Sequence, residues 1–487
     1  MCLSFRLCAP MLVLVRAMPA TVACAVLAPH AAEAQAPVSP RVSRPPISLG
    51  DLLEQVRQTH PRLAAAQSRI EAARSARRAA AVFPNPVFGL DLENAKLPGH
   101  AITPGIDREV MTTATLPLAF VYQRGVRVRR AEADLSAARA DASAETQRIA
   151  LNAARAYYHV ALAQVELATA RDLAAWLDSL VVYNQNRASE GVAAEADLGR
   201  IRLERDRAWS EVTMQQTTLV QAQAALGSFY GDSSGGSFEI SVLTPAGLLP
   251  LPTALRQGSF AAQDVRVVVG DSGESRVGWD ARPEVRSARA RLSAAGASVG
   301  AARSMLVRDV SAMVGLKQST GTTTLLAGLS LPVPLFDQNG GEVARARAER
   351  ETANYELMTA ERQARAELAG SLATARLLYD RMTVLAGGSP GITDTTGATG
   401  PERNYLERAD EGRRIVLGAY REGAVPLFQV LDAARAWGEA RLSYYRTLYT
   451  QHDSVLLVLL ALGQDLFAAI PPLTADGGRS TEPKGLR

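Results

Sequence analysis

Residues Leu331–Glu349 read LPVPLFDQNGGEVARARAE, and the stretch changes character halfway along. Its first half alternates apolar residues with Pro332 and Pro334, a spacing that suits an edge or terminal strand and cannot continue a helix. Asp337, Gln338, Asn339, Gly340 and Gly341 then break the pattern. An Ala/Arg/Glu-rich run without Pro or Gly follows and reads as a long helix. The stretch is therefore a strand-to-helix junction, marked by Pro332, Pro334, Gly340 and Gly341. A cousin lies upstream at Leu116–Asp134, LPLAFVYQRGVRVRRAEAD. In one register Leu116, Pro117, Gln123, Gly125, Val128 and Arg130 meet Leu331, Pro332, Gln338, Gly340, Val343 and Arg345. Two copies of one junction, with Pro117 and Gly125 as the upstream landmarks, indicate an internal duplication that dictates the architecture.

Around the first copy, Ser48 is a good N-cap for a helix starting at Leu49. His60-Pro61 restarts that helix and Pro84-Asn85-Pro86 ends it. Strands are expected at 87–93 and 110–118. From about Arg129 to Tyr183 nothing breaks a helix, and Leu173, Trp176, Leu180 and Tyr183 form a coiled-coil-like seam. At ~1.5 Å per residue such a helix is ~80–100 Å long, beyond the diameter of an ordinary globular domain. The chain turns at a tip, 186–200, centred on Gly191, and returns to Leu226 with Gly227 as its cap. Residues 228–280 are Gly/Ser/Pro-rich and link the repeats.

The second copy restarts at Pro283-Glu284-Val285, which matches Pro61-Arg62-Leu63. Strands are expected at 307–317 and 323–334, then a long helix, a low-complexity insertion at 387–400 and a second tip, 419–433, centred on Gly423. The ending Leu462-Gly463 matches Leu226-Gly227. The repeats are thus 48–227 and 281–463, each helix, two strands, long helix, tip, helix. Residues 464–487 form a tail.

Residues 1–34 read as an export signal: Arg6 and Arg16 are basic, 11–28 is apolar, and Ala32-Glu33-Ala34 precedes a mature start at Gln35. Residues 35–47 are a Pro-rich extended arm. Cys2, Cys8 and Cys24 all fall in the signal; Cys24 is alternatively a lipoprotein acceptor. The formal charge is +4 and the pI about 9.0, with Arg interleaved among Glu and Asp. That pattern describes solvated helix faces, and no basic stripe with interleaved aromatics points to nucleic acid. His60, His100, His159 and His452 lie far apart without a carboxylate or Cys at ligand spacing, so no metal site, cofactor site or catalytic residue is expected.

The FPNPVFGLDLEN and LPVPLFDQNGGEVARARAE junctions, the duplication and the two tips together resemble the TolC-like family of outer-membrane efflux proteins. They are most similar to the branch serving cobalt–zinc–cadmium-type heavy-metal efflux. The fold class this implies is mainly α with a small membrane β-barrel. Duplicated helix–β-hairpin–long helical hairpin units form a trimeric α-barrel plus a 12-stranded β-barrel in the outer membrane, with a long periplasmic extension. Physics agrees: four strands per chain are too few to close a barrel, open strand edges cannot face lipid, and three chains supply twelve strands.

The resemblance implies a passive, non-enzymatic conduit working with a periplasmic adaptor protein and an inner-membrane pump of the resistance-nodulation-division type. The alternatives are a multidrug channel and a structural periplasmic coiled-coil scaffold. It also implies that the tips dock the adaptor, through Gly191, Val192 and Leu198 in the first and Gly423, Ala424 and Val430 in the second. A pore gate is implied at Asp432, with Gln429 standing where the family places another carboxylate and Asp197 at the equivalent first-tip position. Arg421 and Arg435 are the nearest charge partners in sequence.

Overall fold

The computed structural model describes residues 47–94, 108–191, 194–231, 240, 278–306, 310–319, 321–386 and 404–470. The export signal, the arm up to residue 46, most of the 228–280 linker, the 387–400 insertion, His100 and Val192 lie outside the described residues.

Helix α1 spans Leu49–Thr59, and the Ser48 hydroxyl accepts the Asp51 N–H at 3.1 Å as its cap. Helix α2 spans Pro61–Ala81, with Pro61 at its first position and His60 Nδ1 accepting from the Arg62 N–H. Strands β1 (Val87–Glu93) and β2 (Glu109–Pro117) lead into α3, Phe120–Ser189, an unbroken helix of 70 residues. At ~1.5 Å per residue it is ~105 Å long. Helix α4 runs Glu195–Tyr230. A 3-10 turn at Trp279–Ala281 precedes α5 (Pro283–Ser304), strands β3 (Ser311–Ser319) and β4 (Thr322–Ser330), and α6 (Gly340–Leu385). Helices α7 (Tyr405–Arg421) and α8 (Leu427–Ala461) form the second hairpin, and a short α9 (Leu466–Ala469) closes the described chain.

The duplicated order is therefore as expected, with corrections at several boundaries. Helix α3 starts at Phe120, so Gly125 lies inside it and marks no junction. One glycine in a helix costs ~1 kcal/mol, which the packing of α3 on α2 and α5 outweighs. Strand β4 ends at Ser330, so Pro332 and Pro334 lie beyond the ladder. Helix α4 ends not at Gly227, which is buried inside it, but at Gly231, whose φ of +83° is the left-handed cap. Residues 464–470 are not a loose tail. Leu466 is fully buried, and Gln147 donates to the Asp465 carboxylate at 2.7 Å while accepting the Leu466 N–H. The linker also contributes a buried residue: Ile240 bridges Ile47 in parallel fashion.

Small side chains explain how helices of this length pack. Ala150, Ala153, Ala154, Ala161 and Ala163 are essentially fully buried in one core cluster. It combines them with α8 residues Leu448, Val455, Leu456 and Leu459. A second cluster, near the tips, joins Leu177, Leu180, Leu198, Ile201, Tyr420, Leu427, Val430 and Leu431.

Candidate functional site

The four strands form one antiparallel sheet in the order β1-β2-β3-β4, so the β2–β3 ladder joins the repeats. Register fixes which residues share a face. Phe88 pairs with Ala114, Ala114 with Val314, and Val314 with Ala327; Leu90 runs through Thr112 and Leu316 to Leu325. That face is apolar almost throughout and open: Phe88 is 76% exposed, Leu90 66% and Leu325 71%. The opposite face is mixed and more polar: it carries Asp91, Glu93, Glu109, Thr113, Thr115, Lys317 and Thr324 with Gly89, Gly315 and Gly328, and Val87, Met111, Met313 and Leu326 are its apolar members. Lys317 pairs with Glu109 and, at 3.5 Å, with Glu93. A β-carbon at Gly315 would meet the Thr112 carbonyl oxygen at 2.6 Å, a close backbone approach that only glycine permits.

Among the described residues the apolar face is exposed, and β1 and β4 each leave an edge unpaired. A sheet with one apolar and one more polar face has the alternation of a transmembrane barrel wall, and three of its four strands, at nine residues, reach the lower end of the ~9–11 residues that a membrane strand needs. No described helix is long and apolar enough to cross a membrane.

At the other end of the long helices, each tip turns on a left-handed glycine, Gly191 at φ +73° and Gly423 at φ +78°. The two hairpins are fastened there. Tyr420 on α7 donates its hydroxyl to Asn184 Oδ1 on α3 at 2.5 Å, and Asn184, 1% exposed, donates in turn to the Leu180 carbonyl at 2.9 Å. Burial pushes the Tyr420 phenol above its usual range, against the pull of the Asn184 hydrogen bond. The Arg187 guanidinium lies over both Tyr183 and Tyr420.

Further from the tip, ion pairs tie α8 to the first hairpin. Arg435 reaches Glu204, Arg441 reaches Asp172 at 2.9 Å, Arg446 reaches Glu166 at 2.8 Å, and Asp453 reaches Arg155 at 2.5 Å. The Arg435–Glu204 pair borders a cavity of about 460 Å³ between α3, α4 and α8, lined by Leu173, Leu177, Ala208, Leu431 and Ala434.

The residues expected at the site divide. Gly191, Gly423 and Ala424 are exposed at the turns. Leu198 and Val430 are buried in the tip core, where they pack the two hairpins together. Asp432, Asp197 and Gln429 are all exposed. Asp432 has no ion pair among the described residues: Arg435, its expected neighbour, is turned across to Glu204. His452 is 1% exposed, with Nδ1 2.8 Å from the Leu448 carbonyl oxygen and its ring against Tyr158, a core position. The cross-hairpin pairs escaped sequence reasoning because their members stand far apart in the chain, 231 residues for Arg435 and Glu204.

The outer membrane efflux protein family model matches residues 52–232 and 280–397, more than half of the chain and parts of both repeats. The chain belongs to the outer membrane efflux protein family. Among similar proteins is the cobalt-zinc-cadmium resistance protein CzcC of Cupriavidus metallidurans, 24% identical over 460 residues that cover 92% of this chain and 99% of CzcC. The cation efflux system protein CusC of Escherichia coli is 22% identical over 64% of this chain and 63% of its own length. A solved CusC structure superposes with a TM-score of 0.65 at 18% identity, covering 86% of this chain and 92% of that one. The outer membrane protein VceC of Vibrio cholerae gives the same score and identity, over 86% and 96%. The two-faced sheet and the long helices are thus the architecture of an outer-membrane efflux channel.

Proposed function

We propose that three copies of this chain close a 12-stranded barrel in the outer membrane and continue below it as a periplasmic tube of helices. The observation that carries this reading is the sheet with one exposed apolar face, a more polar opposite face and two open edges. An open edge in lipid leaves backbone groups unsatisfied at several kcal/mol each, and closure with neighbouring copies removes every edge. Cyclic symmetry with four strands per chain closes barrels of eight, twelve or more strands, and three copies give the twelve that the resemblance to TolC-like channels implies.

In this reading the channel is a passive conduit for a tripartite system. A periplasmic adaptor docks at the exposed turns around Gly191 and Gly423, and an inner-membrane pump of the resistance-nodulation-division type supplies the energy. The cargo is heavy-metal cations, the class named for CzcC and CusC. Asp432 contributes one carboxylate per chain to a ring at the mouth, with Asp197 and Gln429 near it. Such a ring attracts cations and binds them across the axis.

The test is metal export in cells that lack their own channel but carry the cognate pump and adaptor. Expressing this chain lowers cellular cobalt, zinc and cadmium, and Gly423→Trp abolishes the effect while membrane insertion persists. Unchanged metal content with the wild-type chain correctly inserted contradicts the cargo; export persisting in Gly423→Trp contradicts docking at that turn.

A further inference from the structure

The outer apolar row of the sheet does not stop where β4 stops. Leu325, Ala327 and Leu329 alternate along the strand, and Leu331, Val333 and Leu335 continue the same alternation beyond its last paired residue, Ser330. These three are 57%, 66% and 71% exposed, and Phe336, next in line, is 99% exposed. At the same end of the sheet, where the helices begin, Val82, Phe83 and Val121 are also exposed, and Arg124 lies over the Phe83 ring at 4.9 Å. Together they make an apolar collar just below the barrel wall.

We propose that the Leu331–Phe336 segment is an interfacial anchor, seated at the headgroup–acyl boundary of the inner, periplasmic leaflet. The proposal rests on the barrel reading above. Continuity with the lipid-facing row supplies the first argument. The backbone supplies the second. Irregular chain is costly near hydrocarbon because its N–H groups lack partners. In this segment Pro332 and Pro334 have no N–H, and the Leu335 N–H is bonded to the Val333 carbonyl at 2.9 Å. Three of the six positions thus place no unbonded N–H near the lipid, two because they are proline and one because it is bonded. An aromatic ring between an aliphatic run ending at Leu335 and the polar Asp337-Gln338 suits the interface, where aromatic belts collect.

The experiment is tryptophan quenching in full-length protein reconstituted into phosphatidylcholine vesicles. One vesicle set carries bromine near the headgroup end of the acyl chains and another near the methyl end. The chain's own tryptophans, Trp176, Trp209, Trp279 and Trp437, lie on the helices or on the 3-10 turn before α5, and the unsubstituted protein supplies their background. In Phe336→Trp, shallow bromine lowers the added emission about twofold and deep bromine changes it little, as expected of an interfacial ring. In Leu325→Trp, on the barrel wall, deep bromine is the stronger quencher. Quenching in Leu325→Trp with none in Phe336→Trp overturns the anchor and places a second copy of the chain over the segment, leaving the barrel intact. Deep quenching in Phe336→Trp overturns the interfacial placement. Absence of quenching in both overturns the barrel reading, and the anchor with it.

Discussion

The two repeats hand a strand over to a helix in different ways, although their sequences align. In the first, only Leu118 and Ala119 separate β2 from α3. In the second, nine residues, 331–339, separate β4 from α6. Phe120–Arg124 is helical where the aligned Leu335–Asn339 is not. Local chemistry explains the difference. Asp337 accepts the Asn339 N–H at 2.9 Å, and Asn339 sits at φ +56°, so an Asx turn and a left-handed residue delay the helix. The first junction has neither.

Both junctions nonetheless serve the same neighbour. Gln123 donates to the Ser304 carbonyl at 3.4 Å and Asn339 to the Ala302 carbonyl at 2.7 Å, so each bonds a carbonyl in the last turn of α5, the Ala302 oxygen also accepting the Met305 N–H at 3.3 Å. One repeat thus gives a tight, rigid handover and the other an extended apolar strap. A duplicated sequence need not produce duplicated structure where two turn residues differ, Asp337 and Asn339 standing opposite Tyr122 and Arg124.

The largest effect that would sharpen this comparison lies in the sheet. A β-carbon at Gly315 meets the backbone Thr112 oxygen at 2.6 Å, whereas one at Gly89 meets only the rotatable Thr113 hydroxyl at 2.7 Å. Gly315→Ala is therefore expected to cost about 3 kcal/mol or more, enough to lose the folded sheet, and Gly89→Ala about 1 kcal/mol. Thermal unfolding in detergent, read by gel mobility, separates the two. Equal stability of both variants would break the claim that β2 and β3 approach so closely.

A smaller difference is expected at the junctions. Asn339→Ala removes a residue that tolerates the left-handed backbone and leaves the Ala302 carbonyl without this bond, at about 2–3 kcal/mol. Gln123→Ala gives up a longer bond inside a regular helix, at about 1 kcal/mol. Denaturant unfolding of the two variants checks the order, and a larger loss in Gln123→Ala would reverse the reading of which junction depends on its side chain.

The tips supply the smallest effect on stability and a distinct one on conductance. Asp432 and Asp197 are both exposed, and neither has an ion pair among the described residues, so replacing Asp432 leaves unfolding unchanged, and replacing Asp197, in the first turn of α4, costs at most ~0.3–1 kcal/mol. In planar bilayers Asp432→Ala should conduct more than wild type and lose block by divalent cations, with Asp197→Ala changing less. Unchanged block in Asp432→Ala would remove that carboxylate from the gate and leave the constriction to apolar residues.

Much of the fold was legible because its signals are local. Alternation placed β1 at its observed limits, Ser48 and His60-Pro61 marked two helix starts, and Gly191 and Gly423 marked the tips. Where the reading failed, tertiary contacts had overruled local preference. Gly125 looked like a boundary, but α3 packs on α2 and α5 and continues through it. The alternation of Leu331, Val333 and Leu335 looked like strand, but the chain there has no ladder. The tip was legible as a turn and not as a site. Helical periodicity cannot tell that Leu198 and Val430 face the other hairpin, nor that Arg435 crosses to Glu204 and leaves Asp432 exposed.

If this chain forms a membrane pore only as a closed set of three, the molar mass of the full-length protein extracted from outer membranes in mild detergent reveals it. Light scattering with the detergent contribution subtracted should give three times the single-chain mass, and chemical cross-linking should end at the same species. A membrane-inserted protein that scatters as one or two chains would contradict the account.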